Sequence, residues 1–306
     1  MMLKRLGKIL FLLAAVAFLP GAAGDENSGK DGEKMRGAYT FQSIYFDHPI
    51  VKGRVLDIFE PLPGVEKKES TLFIVHGGGW RGGSRDKFHE IMGVLAAGGY
   101  TVCSTDYRLN AKDAFEQIRD IREGYMIFVN YLRAQGCPVK IFVYGESAGS
   151  HLASMLVCSD LEMVDNWVKP AGGIFHATPC SFVPWEGMMD GARSMMRSIA
   201  GVDYQSHPEV YEKLSLTNHI SADDPQIFFI EAELEHMFFP EFTLREAHKL
   251  RQFGVPVYWK MYRNMEHGFL YTLNRAGQRE ALEDIVLFME GKLDIPLPEK
   301  CVRYQF

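Results

Sequence analysis

Val139-Lys140-Ile141-Phe142-Val143-Tyr144 runs directly into Gly145-Glu146-Ser147-Ala148-Gly149. The first segment is mostly apolar and reads as a buried strand. From Ala148 to Cys158 the residues have helical character. Strand, sharp turn and helix form the setting in which G-x-S-x-G exposes a serine hydroxyl at the apex of the turn. Gly145 and Gly149 suit it because such a turn packs too tightly for a Cβ. A Gly-Ser loop falling by chance between a strand and a helix would carry the same letters, so the rest of the chain must decide.

Outward from this stretch, strand and helix patterns alternate. Strands are expected at Thr40–Phe46, Val51–Phe59, Thr71–Val75, Tyr100–Ser104, Val139–Tyr144, Ala171–Ala177, Gln226–Ala232 and Val255–Tyr262. The clearest helix is Asp113–Gln135, where Ala114, Ile118, Ile121, Tyr125, Phe128 and Leu132 recur by fours and threes. A second is Ala276–Met289. This alternation predicts an α/β fold with an eight-stranded, mostly parallel sheet covered by helices on both faces. A single domain would run from residue 37 to residue 306. Thr178–Asp224, an insertion between strands 6 and 7, breaks the alternation. It holds Trp185, Met188, Met189, Met195 and Met196. It reads equally as a lid or as surface helices with a methionine-rich core face.

The chain has 306 residues, 47% hydrophobic and 24% charged, with a formal net charge of -6. That size and balance describe one large globular domain. The negative charge gives no electrostatic case for nucleic acid or an anionic membrane. Lys4, Arg5 and Lys8 precede the apolar run Ile9–Leu19, which Pro20-Gly21-Ala22-Ala23-Gly24 closes. This pattern predicts a signal peptide over residues 1–23, cleaved after Ala23. Export to the periplasm or the extracellular space follows, with no stable membrane insertion afterwards. An uncleaved anchor would use the same residues. Residues 24–36 read as a disordered spacer. Cys103, Cys137, Cys158, Cys180 and Cys301 show no C-x-x-C spacing, so no metal site is expected. Cys103 reads as a buried strand residue. Two of the others could pair in an exported protein, with no sign of which.

A serine nucleophile needs a base, a group that orients the base, and donors for the developing oxyanion. Among ten histidines, His267 in Glu266-His267-Gly268-Phe269 directly follows the last expected strand. Loops at the carboxyl ends of parallel strands are where α/β sites gather. His48, His89, His207, His219 and His248 read as surface or helix positions, and His151 as a packing residue. For the acid, Glu235 falls just past the strand Gln226–Ala232, with Glu233 its main competitor. For the oxyanion, Thr71–Val75 leads into His76-Gly77-Gly78-Gly79-Trp80. Three glycines let backbone N–H groups approach a ligand oxygen. The amide of Ala148 is a further donor.

HGGGW, Tyr107-Arg108-Leu109, GESAGSHLA and EHGF in this order resemble the α/β-hydrolase superfamily. Within it, the chain is similar to the hormone-sensitive-lipase-like carboxylesterases and to the acetyl xylan and feruloyl esterases, from about Thr40 to Met289. The resemblance implies a serine carboxylesterase with Ser147 as nucleophile, His267 as base and Glu235 as acid. It implies Gly78, Gly79 and Ala148 as oxyanion donors, with His76 and Trp80 supporting the loop. No cofactor is expected. The substrate would be a small-molecule or carbohydrate-linked ester, short acyl or aryl, with acetyl and feruloyl groups of plant polysaccharide included. Two departures stand out. The acid position usually carries Asp, and the N-terminal segment is too short for a helical cap.

Other classes compete. Gly77-Gly78-Gly79-Trp80-Arg81-Gly82 with Asp106 downstream satisfies a dinucleotide-binding fingerprint. It leaves GESAG and EHGF unused. A non-catalytic binding protein could keep the same fold. A serine peptidase or a kynurenine formamidase-like amidase could keep the same machinery.

Overall fold

Strand β5, Lys140–Glu146, lies in the middle of an eight-stranded sheet ordered β1-β2-β4-β3-β5-β6-β7-β8. The other strands are β1 Tyr39–Tyr45, β2 Val55–Pro61, β3 Ser70–Val75, β4 Val102–Thr105, β6 Gly172–His176, β7 Gln226–Ala232 and β8 Val257–Tyr262. The computed structural model describes residues 39–46 and 54–302. The expected signal peptide, the spacer and His48 lie outside the described residues. Strand β2 pairs antiparallel with β1 and with β4. All other pairings are parallel. The expected mostly parallel eight-stranded sheet is therefore the observed one.

Both faces of the sheet are covered, and β5 shows why its run is continuously apolar. Ile141 and Val143 point into one core cluster, Phe142 and Tyr144 into the other. The first cluster is closed by helix α2, Ala114–Ala134, and helix α3, Ala148–Cys158. The second is closed by α1, His89–Ala97, and α7, Ala276–Met289. Helix α2 buries the whole expected stripe from Ala114 to Leu132. Asp113 caps it by accepting the Glu116 N–H at 3.1 Å, satisfying one of the free first-turn donors.

Several boundaries differ from expectation. Strand β4 starts at Val102, not Tyr100, because the chain is still closing helix α1. There the N–H of Tyr100 reaches Leu95 O at 3.0 Å while Gly99 turns at φ 99°. Strand β2 is described from Val55 onward. The insertion between β6 and β7 is helical in part, with α4, Asp190–Ala200, and α5, Pro208–Lys213. Met188, Met196 and Ile199 are buried in the first core cluster. The remaining helix, α6, Pro240–Gln252, packs Leu244, Ala247 and Leu250 into that same cluster.

Candidate active site

Ser147 sits between the end of β5 and the start of α3, with φ 53° and ψ −120°. A serine in that region is strained, and surrounding contacts must hold it there. Its N–H donates to His176 O at 2.9 Å, and its carbonyl accepts from His151 N–H at 3.1 Å. Space explains the two motif glycines. A Cβ on Gly145 would lie 2.3 Å from Gly149 O, and one on Gly149 would lie 2.2 Å from Val75 O. Both obstacles are backbone, which cannot swing away.

The loops after β7 and β8 bring two further residues to the serine, 88 and 120 positions away in sequence. Ser147 Oγ lies 2.8 Å from His267 Nε2. His267 Nδ1 lies 2.6 Å from Glu235 Oε2. The serine hydroxyl donates to Nε2 when Nδ1–H donates to the carboxylate. The other oxygen of Glu235 accepts backbone N–H groups of His236 at 2.9 Å, Met237 at 2.7 Å and Phe238 at 3.3 Å. Burial alone would raise the Glu235 pKa. The bond and charge of His267, with the N–H groups of Met237 and Phe238, outweigh it and hold the carboxyl below its ordinary range. For His267, burial pulls the pKa down. The bond and charge of Glu235, and the charge of Glu146, reverse that and raise it above the ordinary 6.5.

Glu233 is elsewhere. It is buried, and its Oε2 accepts the N–H of Asn264 at 2.7 Å. It therefore ties the loop after β7 to the loop after β8, while Glu235 reaches the imidazole.

The glycine loop after β3 faces the serine. Gly78 and Gly79 line the same cavity as Ser147 and His267. Both have positive φ, 128° and 59°. A Cβ on Gly78 would lie 2.3 Å from Gly82 O, so only glycine permits this turn. Ala148 opens α3, and the first amides of a helix have no partner within it. His76 does not face the serine. Its Nδ1–H donates to Gly77 O at 2.8 Å, and its ring stacks on Tyr107 with centroids 4.4 Å apart. Burial keeps it below the ordinary histidine value, hence neutral. Trp80 is buried, and its indole N–H donates to His151 Nδ1 at 3.2 Å. His151 Nε2–H donates in turn to Leu214 O at 2.8 Å. The histidine expected only to pack thus links the glycine loop, helix α3 and the insertion.

The dinucleotide reading fails on local detail. The loop carries Trp80, whose buried indole packs on His151 and Phe182. Asp106 is taken by Arg85, whose N–H reaches Oδ1 at 2.8 Å and whose guanidinium reaches Oδ2 at 2.5 Å. Four other histidines have partners of their own: His89 with Asp57, His207 with Glu209, His219 with Lys213 O and His248 with Pro298 O. Cys103, Cys137, Cys158 and Cys180 are free thiols, with Cys103 and Cys180 buried.

The cavity has a volume of about 210 Å³. Residues that sequence reasoning missed complete its wall. Met237 and Phe238 lie two and three residues past Glu235, and Tyr271 comes from the loop after β8. Lys87, from the turn before α1, places its ammonium 5.1 Å from the centre of the Tyr271 ring. Met195 comes from α4, and a Cβ on Gly79 would lie 2.9 Å from its sulfur. The same helix is tied to the glycine loop by Arg81, which donates to Ser198 Oγ at 2.8 Å. The insertion is therefore part of the wall as well as part of the core. Glu146, the variable residue of G-x-S-x-G, also lines the cavity.

The BD-FAE family model matches residues 56–238. The acetyl esterase of Salmonella agona is 25% identical over 261 residues, covering 78% of this chain and 76% of that protein. Esterase B of Lactobacillus rhamnosis superimposes with a TM-score of 0.71 at 16% identity, over 86% of this chain and 91% of that one. The propionate-bound esterase Est2 of Thermogutta terrifontis gives a TM-score of 0.66 at 20% identity, over 86% and 98%. At these identities the structural likeness speaks for the fold.

Proposed function

The chain belongs to the BD-FAE family of α/β-hydrolases and is a carboxylic ester hydrolase, and from that premise we propose that it cleaves short acyl or aryl esters through an acyl-enzyme on Ser147. The observation that carries this reading is the unbroken chain from Ser147 Oγ through His267 to Glu235, opening on a cavity. Serine attacks the ester carbonyl as His267 Nε2 takes its proton. The developing oxyanion is met by the amides of Gly78 and Gly79 in the glycine loop and by that of Ala148. The tetrahedral intermediate collapses, and the imidazolium gives its proton to the leaving alcohol. Water then enters, loses a proton to His267 and releases the acid. Glu235 keeps the proton on Nδ1 and offsets the imidazolium charge throughout.

The wall supports a small acyl group. Met195, Met237 and Phe238 are apolar, and the volume is of the order of a short acyl or single aryl group. Acetyl and feruloyl groups on plant polysaccharide are the proposed substrates, and the acetyl esterases among the relatives favour acetyl. A panel of p-nitrophenyl esters of rising chain length, acetyl xylan and methyl ferulate tests this. Acetate and butyrate should be cleaved with the highest kcat/KM. A preference for long acyl chains, or turnover of amides alone, would overturn it. Export is part of the proposal and rests on Lys4 to Gly24. N-terminal sequencing of secreted protein should begin at Gly24.

A further inference from the structure

We infer that Glu146 is a second carboxylate for His267, facing the ring nitrogen that receives the serine proton and stabilising the imidazolium from the side opposite Glu235. The inference rests on the reading of Ser147 and His267 given above. Glu146 Oε1 lies 3.8 Å from His267 Nε2. Its side chain is almost fully buried, at 2% exposure, yet it lines the cavity. A carboxylate in such a place has been given room and partners. Tyr271 donates its hydroxyl to Oε2, and the Gly77 N–H also donates to the carboxylate. Two glycines open the slot. A Cβ on Gly77 would lie 2.1 Å from Oε2, and one on Gly268 would lie 2.6 Å from Oε1. Gly77 belongs to the glycine loop and Gly268 directly follows His267. Both loops therefore close around this one carboxylate.

The charged and titratable groups around it come from every neighbouring element. His267 and Tyr271 face it from the loop after β8, and Glu235 from the loop after β7. Lys87 faces it from the turn before α1, Tyr107 from the loop after β4 and Tyr144 from its own strand. His176 adds a neutral ring beside His267, its charge suppressed by burial. Burial is the largest influence on Glu146 and pushes its pKa up to about 7. The charges of His267 and Lys87 and the Gly77 N–H pull it down, and the charge of Glu235 adds to the rise. Two groups this close titrate as a pair. The form with neutral His267 and ionised Glu146 is the one poised to react. It can accept the serine proton, and the charge it then develops at Nε2 meets a carboxylate already in place.

The test is the pH profile of kcat/KM for p-nitrophenyl acetate, with an NMR titration of the His267 ring in the resting enzyme. Glu146→Gln should move the acid limb down by roughly 0.5–1 pH unit, since an anion beside the imidazole no longer favours its protonated form. The plateau should fall about 10-fold. Glu146→Asp, which keeps the charge, should return the limb toward that of the wild type. Tyr271→Phe removes a donor to the ionised carboxylate and should move the limb upward instead. The NMR titration should show the His267 pKa lowered in Glu146→Gln. An unmoved limb with only a lower plateau would mean that Glu146 merely braces the loops, which overturns the inference. So would a Glu146→Gln plateau at or above wild type. Should Glu146→Gln not fold, Glu146→Asp and Tyr271→Phe decide the matter by the direction of their shifts. The NMR readout needs no turnover. An enzyme inert toward esters whose His267 titration still responds to Glu146 would sink the proposed reaction and leave this coupling standing.

Discussion

Replacing Glu235 by Gln should remove nearly all turnover while leaving the fold intact. The geometry explains both halves. Three backbone N–H groups converge on Glu235 Oε1, at 2.9, 2.7 and 3.3 Å. Only an oxygen can occupy that position, so the glutamine amide is oriented with its NH2 toward His267. The NH2 is a donor and compels Nδ1 to accept. The ring proton must then sit on Nε2, the nitrogen that lies 2.8 Å from Ser147 Oγ and has to accept from it. The variant therefore holds the wrong tautomer as well as lacking the charge. Such a change costs on the order of 10⁴ in kcat, or about 5 kcal/mol of transition-state stabilisation. Stability should change little, because the Oε1 bonds survive. Glu233→Gln is the matched control. Its carbonyl oxygen can still accept from Asn264 N–H, so turnover should fall less than about 10-fold. Steady-state kinetics with p-nitrophenyl acetate at a fixed pH near 8, alongside thermal melts, gives the comparison. A folded Glu235→Gln enzyme within about 10-fold of wild type, or a larger loss in Glu233→Gln, would refute the reasoning.

Two further outcomes follow from named contacts. Protonated His267 cannot accept the serine proton, and its pKa is raised above 6.5. The acid limb of kcat/KM should therefore be centred above 6.5, with activity lost as pH falls through it. A midpoint below about 6 would show the carboxylates exert no such pull. Arg122 is fully buried and caps the C-terminal end of α3, donating to Leu161 O at 2.6 Å, Met155 O at 3.0 Å and Leu156 O at 3.3 Å, and also to Ser159 O. Arg122→Met takes a donor from each of these carbonyls, of which Met155 O alone keeps Ser159 N–H and Oγ, and should cost about 2–4 kcal/mol in urea unfolding. A loss under about 0.5 kcal/mol, within the range of ordinary surface changes, would show that they find other partners.

Much of this was legible in the chain because local constraints are severe. Gly145 and Gly149 are demanded by backbone atoms within 2.3 Å, so the elbow had to declare itself in the letters. The stripe of α2 was readable because each of its residues is buried against one face. The acid was harder. Glu233 and Glu235 are two apart, and strand alternation would put them on the same face. They separate because β7 ends at Ala232 and a turn follows, with Leu234 N–H bonded to Met265 O at 2.9 Å. That long-range bond has no local signature. The role of His151 was hidden in the same way, since its partners Trp80 and Leu214 lie 71 and 63 residues off. Glu146 was overlooked because the motif treats its position as free. Met195 belongs to a helix whose own pattern speaks only of packing.

The most direct measurement of the central claim is covalent capture of the nucleophile. Incubation with an organophosphonate ester, followed by intact mass and peptide mapping, should show one adduct per chain, on the peptide carrying Ser147. Activity should fall in proportion to labelling. The Ser147→Ala protein should fold, take up no label and lose turnover by on the order of 10³-fold or more. Labelling at another residue, or wild-type turnover in folded Ser147→Ala, would contradict the account.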